Sequence, residues 1–220
     1  LLKPAGVFAC GLVVSGAFAG PIWARPKSYD AGGTITLGFV SPLTGPAGGF
    51  GEGDPYIIGL AKKAFAKGLT VGGTQYTVKI VNKDSQSSPA TAAQVANDLI
   101  HSDNIDLMLT TSTPEVVNPV ADACEAAGVP CVGTVDPWEA FYFGRGAKPG
   151  GPNPFRYSFL FSFGTEQFAG AYEHLWPQVK TNKVVGVMYP NDTDGNAFRT
   201  GLIPLLEKAG YKVFDPGGYQ

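Results

Sequence analysis

The hydroxyl groups of Ser112 and Thr113 stand where an apolar strand is expected to run directly into a helix. The stretch Leu107–Asp122 reads L-M-L-T-T-S-T-P-E-V-V-N-P-V-A-D. Ser and Thr cap helix N-termini, Pro114 suits the first helical turn, and Ser112-x-x-Glu115 matches a capping box. Such a junction offers hydroxyls, backbone N–H groups and the positive end of a helix dipole, which together suit a carboxylate or another anion. Most junctions of this kind only cap their own helix, so the rest of the chain has to decide between the two interpretations.

Two earlier junctions have the same design, because Asp54-Pro55 and Ser88-Pro89 each follow a predicted strand and loop. The apolar patterns predict strands at 34–40, 76–81, 105–109 and 129–135, with helices between them. This alternation predicts βαβ units and a parallel sheet, with ligands binding where the strands end. The loops expected at that edge are 41–53, 84–88, 110–113 and 136–138.

The segment 138–151 breaks the alternation, because it is first aromatic and then rich in Gly and Pro. Beyond it the pattern predicts a helix at 165–179, a strand at 183–189, a helix at 197–209 interrupted near Gly201 and Pro204, and a strand from 211. The sequence therefore predicts an α/β protein with two Rossmann-like lobes and parallel sheets. Residues 34–150 form the first ligand-binding lobe in this prediction, and 151–220 form part of a second, incomplete lobe.

The N-terminal residues 1–24 differ from the rest, since Val7–Ala19 carries no charge and Arg25-Pro26-Lys27 follows. This pattern predicts an export signal peptide followed by a linker at 25–33. A membrane anchor is the alternative, although the apolar run is short for a spanning helix. Two cysteines remain after the signal, Cys124 and Cys131, and they suit either a disulfide or two small buried apolar side chains equally well.

Catalytic and metal-binding patterns were sought and not recognised in the sequence. His101 and His174 have no partner at metal-ligand spacing, and no G-x-S-x-G elbow occurs. The Gly-rich loop 45–53 lacks both nucleotide-binding fingerprints, and Asp192 with Asp194 does not complete a calcium loop. A net charge of −2 without a basic cluster argues against a nucleic-acid partner. We therefore expect no enzyme activity, catalytic residue, metal or cofactor.

Several segments in this order resemble the type I periplasmic binding proteins, and more narrowly the branched-chain amino acid (Leu/Ile/Val) binding family of ABC importers and its aromatic-acid relatives. They are I-T-L-G-F-V-S-P-L-T-G-P-A-G-G-F-G at 35–51, the T-S-T-P-E junction, A-D-A-C-E-A-A-G-V-P-C at 121–131 and V-V-G-V-M-Y-P-N-D-T-D-G at 184–195. Members continue with further strands of the second lobe and then complete the first, so we expect a C-terminal part beyond the given sequence.

The resemblance implies a ligand held between two lobes that close by hinge bending. It implies that Ser112 and Thr113 hold the ligand carboxylate and that Phe50 covers the ligand. The other residues implied to contact it are Val135, Asp136 and Trp138 from the first lobe and Thr165, Tyr189 and Asp194 from the second.

The function expected from these features is that of a periplasmic substrate-binding protein. It would act as a monomer, capture a small carboxylate such as an amino acid or an aromatic acid, and deliver it to an ABC permease in the membrane. Two alternatives remain open at this stage: an exported α/β hydrolase, and the ligand-sensing domain of a receptor.

Overall fold

A computed structural model describes residues 32–219 and places them in two α/β lobes. The first lobe contains a six-stranded sheet in the order β2-β3-β1-β4-β5-β6, and the second contains a two-stranded sheet of β7 and β8. All strand pairs are parallel except β2–β3. The strands are β1 Thr34–Ser41, β2 Leu69–Val71, β3 Thr74–Asp84, β4 Leu107–Thr111, β5 Cys131–Thr134, β6 Ser158–Leu160, β7 Val184–Gly186 and β8 Lys212–Phe214.

Six α-helices and two short 3₁₀ turns connect these strands within residues 32–219. The helices are α1 Asp54–Ala64, α2 Pro89–His101, α3 Pro114–Ala127, α4 Trp138–Gly144, α5 Thr165–Leu175 and α6 Thr193–Lys208, and the 3₁₀ turns are Gly48–Gly51 and Trp176–Gln178. The predicted α/β fold with two lobes and parallel sheets is thereby confirmed.

The core of the first lobe lies between the sheet and the pair α2 and α3. Successive residues of β1 alternate between the two faces, so Val40 points into this core while Phe39 points to the other side. Leu99 and Ile105 fill the space above Gly38, where a larger residue would collide with both. Opposite this core, α1 has no fully buried residue, and an apolar cavity of about 510 Å³ separates it from the sheet.

The strand order creates a crevice between the carboxyl ends of β1 and β4. From β1 the chain moves outward to β3 on one side, and it then crosses back to β4 on the other side. Ligands of open α/β sheets bind at such a reversal point, because the two flanking connections leave on opposite faces of the sheet. The segment that follows β4 at this point contains Ser112 and Thr113.

Two charged side chains of the first lobe fix the segment that leads to the second. Arg145 is almost completely buried; its Nε donates to Asp122 at 2.7 Å and its Nη2 to the Ser158 hydroxyl at 3.1 Å. Glu125 accepts the backbone N–H of Arg156 at 2.7 Å and the Ser158 hydroxyl at 2.7 Å. The start of β6 is therefore held against α3 by hydrogen bonds to ionised groups, which are stronger than neutral ones.

The second lobe packs α5 and α6 together beside the β7–β8 pair. The buried residues of its hydrophobic cluster are Ala169, Leu202, Leu206 and Tyr211. Gly201 lies against the Thr165 side chain, and a Cβ at this position would overlap it. This glycine therefore allows the two helices to approach closely.

Four features differ from the sequence prediction. The hairpin strand β2 was not predicted, and the aromatic segment after β5 forms the short helix α4. Strand β6 extends the first sheet by pairing with β5. Helix α6 is continuous through Gly201 and Pro204, whereas an interruption was predicted. Leu202 and Leu206 are buried, and their packing compensates for the hydrogen bond that Pro204 removes.

The predictions for residues 1–31 lie outside the described part of the chain. Within residues 32–219, every helix is too short or too polar to cross a bilayer. Of the two possibilities left open for the cysteines, the structure has buried free thiols at Cys124 and Cys131.

Candidate functional site

The backbone at the carboxyl ends of β4 and β5 adopts conformations that L-residues rarely occupy. The φ angles are 71° at Ser112, 69° at Thr113 and 54° at Val135. Thr113 combines this φ with a ψ of 144°, a region that is essentially reserved for glycine. Such a residue costs about 1–3 kcal/mol, and these conformations cluster at ligand sites, where the surrounding structure enforces them. Thr113 and Val135 are both β-branched, both have a positive φ angle, and they are hydrogen-bonded neighbours at this edge of the sheet.

The hydrogen bonds at this junction differ from the predicted cap. The N–H groups of Ser112 and Thr113 are not free, because they donate to the carbonyls of Thr134 and Val135, both at 3.2 Å. The N-cap of α3 is Thr113 and not Ser112, and its side chain makes no capping bond. The capping-box prediction is therefore wrong, since a side-chain cap needs the extended backbone that Thr113 lacks.

The side chains of Ser112, Thr113 and Glu115, which do not cap α3, make other contacts. The Ser112 hydroxyl is buried and lies 3.1 Å from the Thr111 hydroxyl. The Glu115 carboxylate accepts the backbone N–H of Thr193 at 3.3 Å, so it joins α3 to the start of α6. The Thr113 hydroxyl remains half-buried at the positive end of the α3 dipole.

Asp136 is the most unusual polar residue of the site. Its side chain is fully buried, and neither carboxylate oxygen has a hydrogen-bond partner, while its backbone N–H donates to Ser162 at 3.2 Å. Burial raises the pKa of this carboxyl to about 8, and the nearby charges of Asp194 and Glu115 contribute in the same direction against a smaller opposing effect of Arg145. A buried carboxylate without partners is costly, so Asp136 is largely protonated at neutral pH.

Asp194 approaches the same place from the second lobe. It lies in the first turn of α6, and one of its carboxylate oxygens is buried without a partner. Burial, followed by the charges of Asp192 and Glu115, raises the pKa of Asp194 to about 6. We refer to Asp136, Asp194 and Glu115 as the acidic cluster. It lies where α3 contacts the start of α6.

Trp138 and Thr165 each bond to a glutamate on the other's helix. The indole N–H of Trp138 donates to both carboxylate oxygens of Glu166, at 3.0 and 3.1 Å. The Thr165 backbone N–H donates to Glu139 at 2.8 Å, and its hydroxyl bonds to the same oxygen. These paired contacts hold the start of α5 against the start of α4.

Phe50 is exposed, whereas Tyr189 packs against other residues of the second lobe. Phe50 occupies the first 3₁₀ turn with 58% of its surface exposed. The Tyr189 ring stacks on Phe198 of α6, with ring centroids 5.8 Å apart, and its carbonyl accepts from Arg199 at 3.1 Å. Tyr189 therefore packs within the second lobe, whereas Phe50 is available for contact.

Four acidic residues that fix elements around the site were not among the predicted contact residues. Glu115 was interpreted only as a cap, and Glu139 and Glu166 carried no pattern besides their position beside Trp138 and Thr165. The fourth, Asp84, accepts the N–H and hydroxyl of Thr44 at 3.2 and 2.6 Å, and so fixes the loop after β1. The signal available for Asp84 was its place in the loop 84–88, which was expected at this edge of the sheet.

In the described part of the chain, no three His, Cys, Asp or Glu side chains are arranged to hold a metal ion.

Comparison with known proteins gives a consistent result. Residues 34–220 match the family model described as periplasmic binding protein. No curated protein sequence matches the chain. Three similar solved structures are all solute-binding proteins. A Rhodopseudomonas palustris BisB5 ABC-transporter protein in complex with 3,4-dihydroxybenzoic acid has a TM-score of 0.65 and 19% identity, covering 83% of this chain and 46% of that one.

The second is an R. palustris protein in complex with 4-hydroxybenzoate, with a TM-score of 0.66 and 21% identity over 84% of this chain and 47% of its own. The third is the leucine-binding protein LivK of Thermotoga maritima, with a TM-score of 0.67 and 17% identity over 84% and 49%. The chain thus spans about half the length of the structures that it resembles. Because the family model covers most of the sequence, the chain belongs to the periplasmic binding protein family.

Proposed function

We propose that this chain is the extracytoplasmic substrate-binding component of an ABC importer. It captures a small carboxylate ligand between the first lobe, whose sheet includes β6, and the second lobe that follows β6. The observation that carries this proposal is the strained Ser112–Thr113 backbone at the reversal point of the sheet, beside the unpartnered Asp136. Export by residues 1–24, a periplasmic location, a monomeric state and delivery to a membrane permease belong to the same proposal.

The charges around the crevice favour a ligand with both a carboxylate and a cationic group. The Thr113 hydroxyl at the α3 N-terminus suits the carboxylate. The acidic cluster lies at the same edge of the sheet. It would repel a second anion but would stabilise an ammonium group. An amino acid therefore fits this edge better than a simple aromatic acid.

The remaining residues supply contact area and closure in this proposal. Val135, Trp138 and the exposed Phe50 offer apolar surface, and aromatic rings give a large contact area with little loss of rotamer freedom. Thr165, Asp194 and Tyr189 belong to the elements of the second lobe that would move with it.

The test is a titration calorimetry panel on the purified full chain, with aliphatic and aromatic amino acids and 4-hydroxybenzoate as ligands. Binding of at least one amino acid is expected, and Thr113→Ala and Asp136→Asn should each weaken it by roughly ten-fold or more. Thr70→Ala, on the distant edge strand β2, and Asp98→Asn, on α2, are matched controls that should bind normally. Absence of binding across the panel, or equal weakening by the controls, would contradict the proposal.

A further inference from the structure

The segment that follows β3 has the same unusual backbone as the segments that follow β4 and β5. Gln86 and Ser87 have φ angles of 53° and 56°, which L-residues rarely adopt. Away from this edge of the sheet, the non-glycine residues with a positive φ within residues 32–219 are Asn104 and Lys183, and both precede strands. Such conformations cluster at ligand sites. The segment after β3 is therefore a further candidate for ligand contact.

The backbone of Gln86 is held in place by Asp84. One carboxylate oxygen of Asp84 accepts the N–H of Gln86 at 2.8 Å and the N–H of Leu43 at 2.9 Å. The segment after β3 and the loop after β1 thus share one anchor. Ser87 adds a second connection, because its hydroxyl donates to the carbonyl of Thr44 at 2.7 Å. The two loops therefore form one unit at the carboxyl edge of the sheet.

The side chain of Gln86, in contrast, is available for binding. It is exposed, and it makes no hydrogen bond with the part of the chain that the structure describes. Gly45 packs so closely against Gln86 that a Cβ on Gly45 would overlap the Gln86 carbonyl, which fixes the backbone further. An amide can both donate and accept hydrogen bonds. Its fixed backbone limits the entropy that is lost when a ligand is bound.

The register of the sheet gives the distance from Gln86 to the proposed carboxylate site. Ser41 of β1 pairs with Asp84 of β3, and the residue before Ser41 pairs with Thr110 of β4. Strands β3 and β4 therefore end at the same level, with β1 between them. Gln86 and Thr113 follow these two strand ends. Two strand spacings separate them, so their backbones lie about 10 Å apart.

We propose that Gln86 is a specificity-determining residue, whose amide hydrogen-bonds the far end of the ligand. This inference rests on the proposed function, in which Thr113 holds the ligand carboxylate. A ligand that reaches from Thr113 to Gln86 has an extended body and a hydrogen-bonding group at its far end. The ligand class is therefore amino acids whose side chains end in a polar group, such as tyrosine or glutamine. An analogue without this group would cover the amide and leave it unpaired, which lowers affinity.

The test is titration calorimetry on the full chain with two pairs of amino acids, tyrosine with phenylalanine and glutamine with methionine. The wild type should prefer the polar member of at least one pair by about ten-fold. In Gln86→Leu, which removes the amide at similar size, the ratio of affinities should fall close to one. Gln86→Asn, which suits a positive φ and withdraws the amide, should also lower the ratio. Gln178→Leu, on an exposed turn of the second lobe, is the matched control and should keep the wild-type ratio.

Two results would overturn this inference and leave the proposed function intact. One is equal affinity of the wild type for both members of each pair. The other is a preference that is unchanged in both Gln86→Leu and Gln86→Asn. Binding of no amino acid by the wild type would instead overturn the proposed function and this inference together.

Discussion

Replacement of Asp136 by Asn should remove a pH dependence of stability that the wild-type chain owes to this residue. The pKa of Asp136 is raised from 3.8 to about 8 because the carboxyl is buried near Asp194 and Glu115. The folded protein thus binds the proton more tightly than the unfolded chain does. The corresponding stability is fully present below the unfolded pKa and is lost as the pH rises towards 8.

The difference between the pKa of Asp136 in the unfolded and in the folded chain corresponds to a decrease in the free energy of unfolding on the order of 5 kcal/mol as the pH rises through this range. In Asp136→Asn the side chain stays neutral at every pH, so this part of the decline should disappear. The buried amide still lacks partners, which can lower stability by about 1–3 kcal/mol at all pH values alike. The two proteins should therefore be compared by how steeply the free energy of unfolding changes with pH, and not by its absolute value.

The assay is urea unfolding followed by circular dichroism at intervals from pH 4 to pH 9. The wild-type midpoint should continue to fall from pH 6 to pH 8, whereas the Asp136→Asn midpoint should be nearly constant above pH 6. Below pH 6 both proteins keep the contribution of Asp194, whose pKa is raised to about 6. Asp98→Asn should behave like the wild type. Equal slopes for the wild type and Asp136→Asn would refute the electrostatic reasoning.

Four further substitutions test individual features. Thr113→Gly should raise the free energy of unfolding by about 1 kcal/mol, because glycine tolerates this backbone, and a lower urea midpoint would show that the strain is absent. Asp84→Ala should lower the free energy of unfolding by about 2 kcal/mol and speed hydrogen exchange in the loop after β1. Unchanged exchange there would contradict the conclusion that Asp84 fixes this loop. In Gly195→Ala, the new methyl group would collide with the carbonyl of Pro190 and cost about 3 kcal/mol in thermal or urea unfolding. Gly170→Ala in α5, where space is open, should gain up to about 1 kcal/mol instead, and a similar loss in both variants would be the contrary result.

The parts of the fold that could be predicted from the sequence are those with regular apolar spacing. The alternation around β1, α2, β4 and α3 follows from stripes that must be buried, and the parallel sheet follows from the alternation. Strand β2 was missed because its three residues are all exposed, so no burial pattern marks them. Helix α4 was missed because seven residues with four aromatics give too short a pattern to separate a helix from an irregular segment.

Helix α6 shows tertiary packing prevailing over local preference. Gly201 and Pro204 both disfavour a helix, yet Leu202 and Leu206 are buried on the same side, and Gly201 leaves room for Thr165. The role of Gly201 depends on α5, which is distant in the sequence. Local propensities contain no information on such a contact.

The candidate site was predictable in place but not in chemistry. The hydroxyls of Ser112 and Thr113 indicated the edge of the sheet at which the positive φ values occur, because strand ends converge there. The positive φ values, the use of both N–H groups by β5 and the contact of Glu115 with α6 all depend on neighbouring strands and on the second lobe. The raised pKa of Asp136 likewise arises from residues that the sequence separates widely.

Proton release on ligand binding would show directly whether the ammonium group of the ligand binds beside Asp136. An ammonium group placed beside Asp136 should ionise this carboxyl, so that binding at pH 7 releases about one proton per ligand. Calorimetric titration of the full chain with an amino acid, in two buffers of different ionisation enthalpy, measures this number. The account predicts buffer-dependent heats that become equal in Asp136→Asn, whereas binding with the same heat in both buffers by the wild-type chain would contradict it.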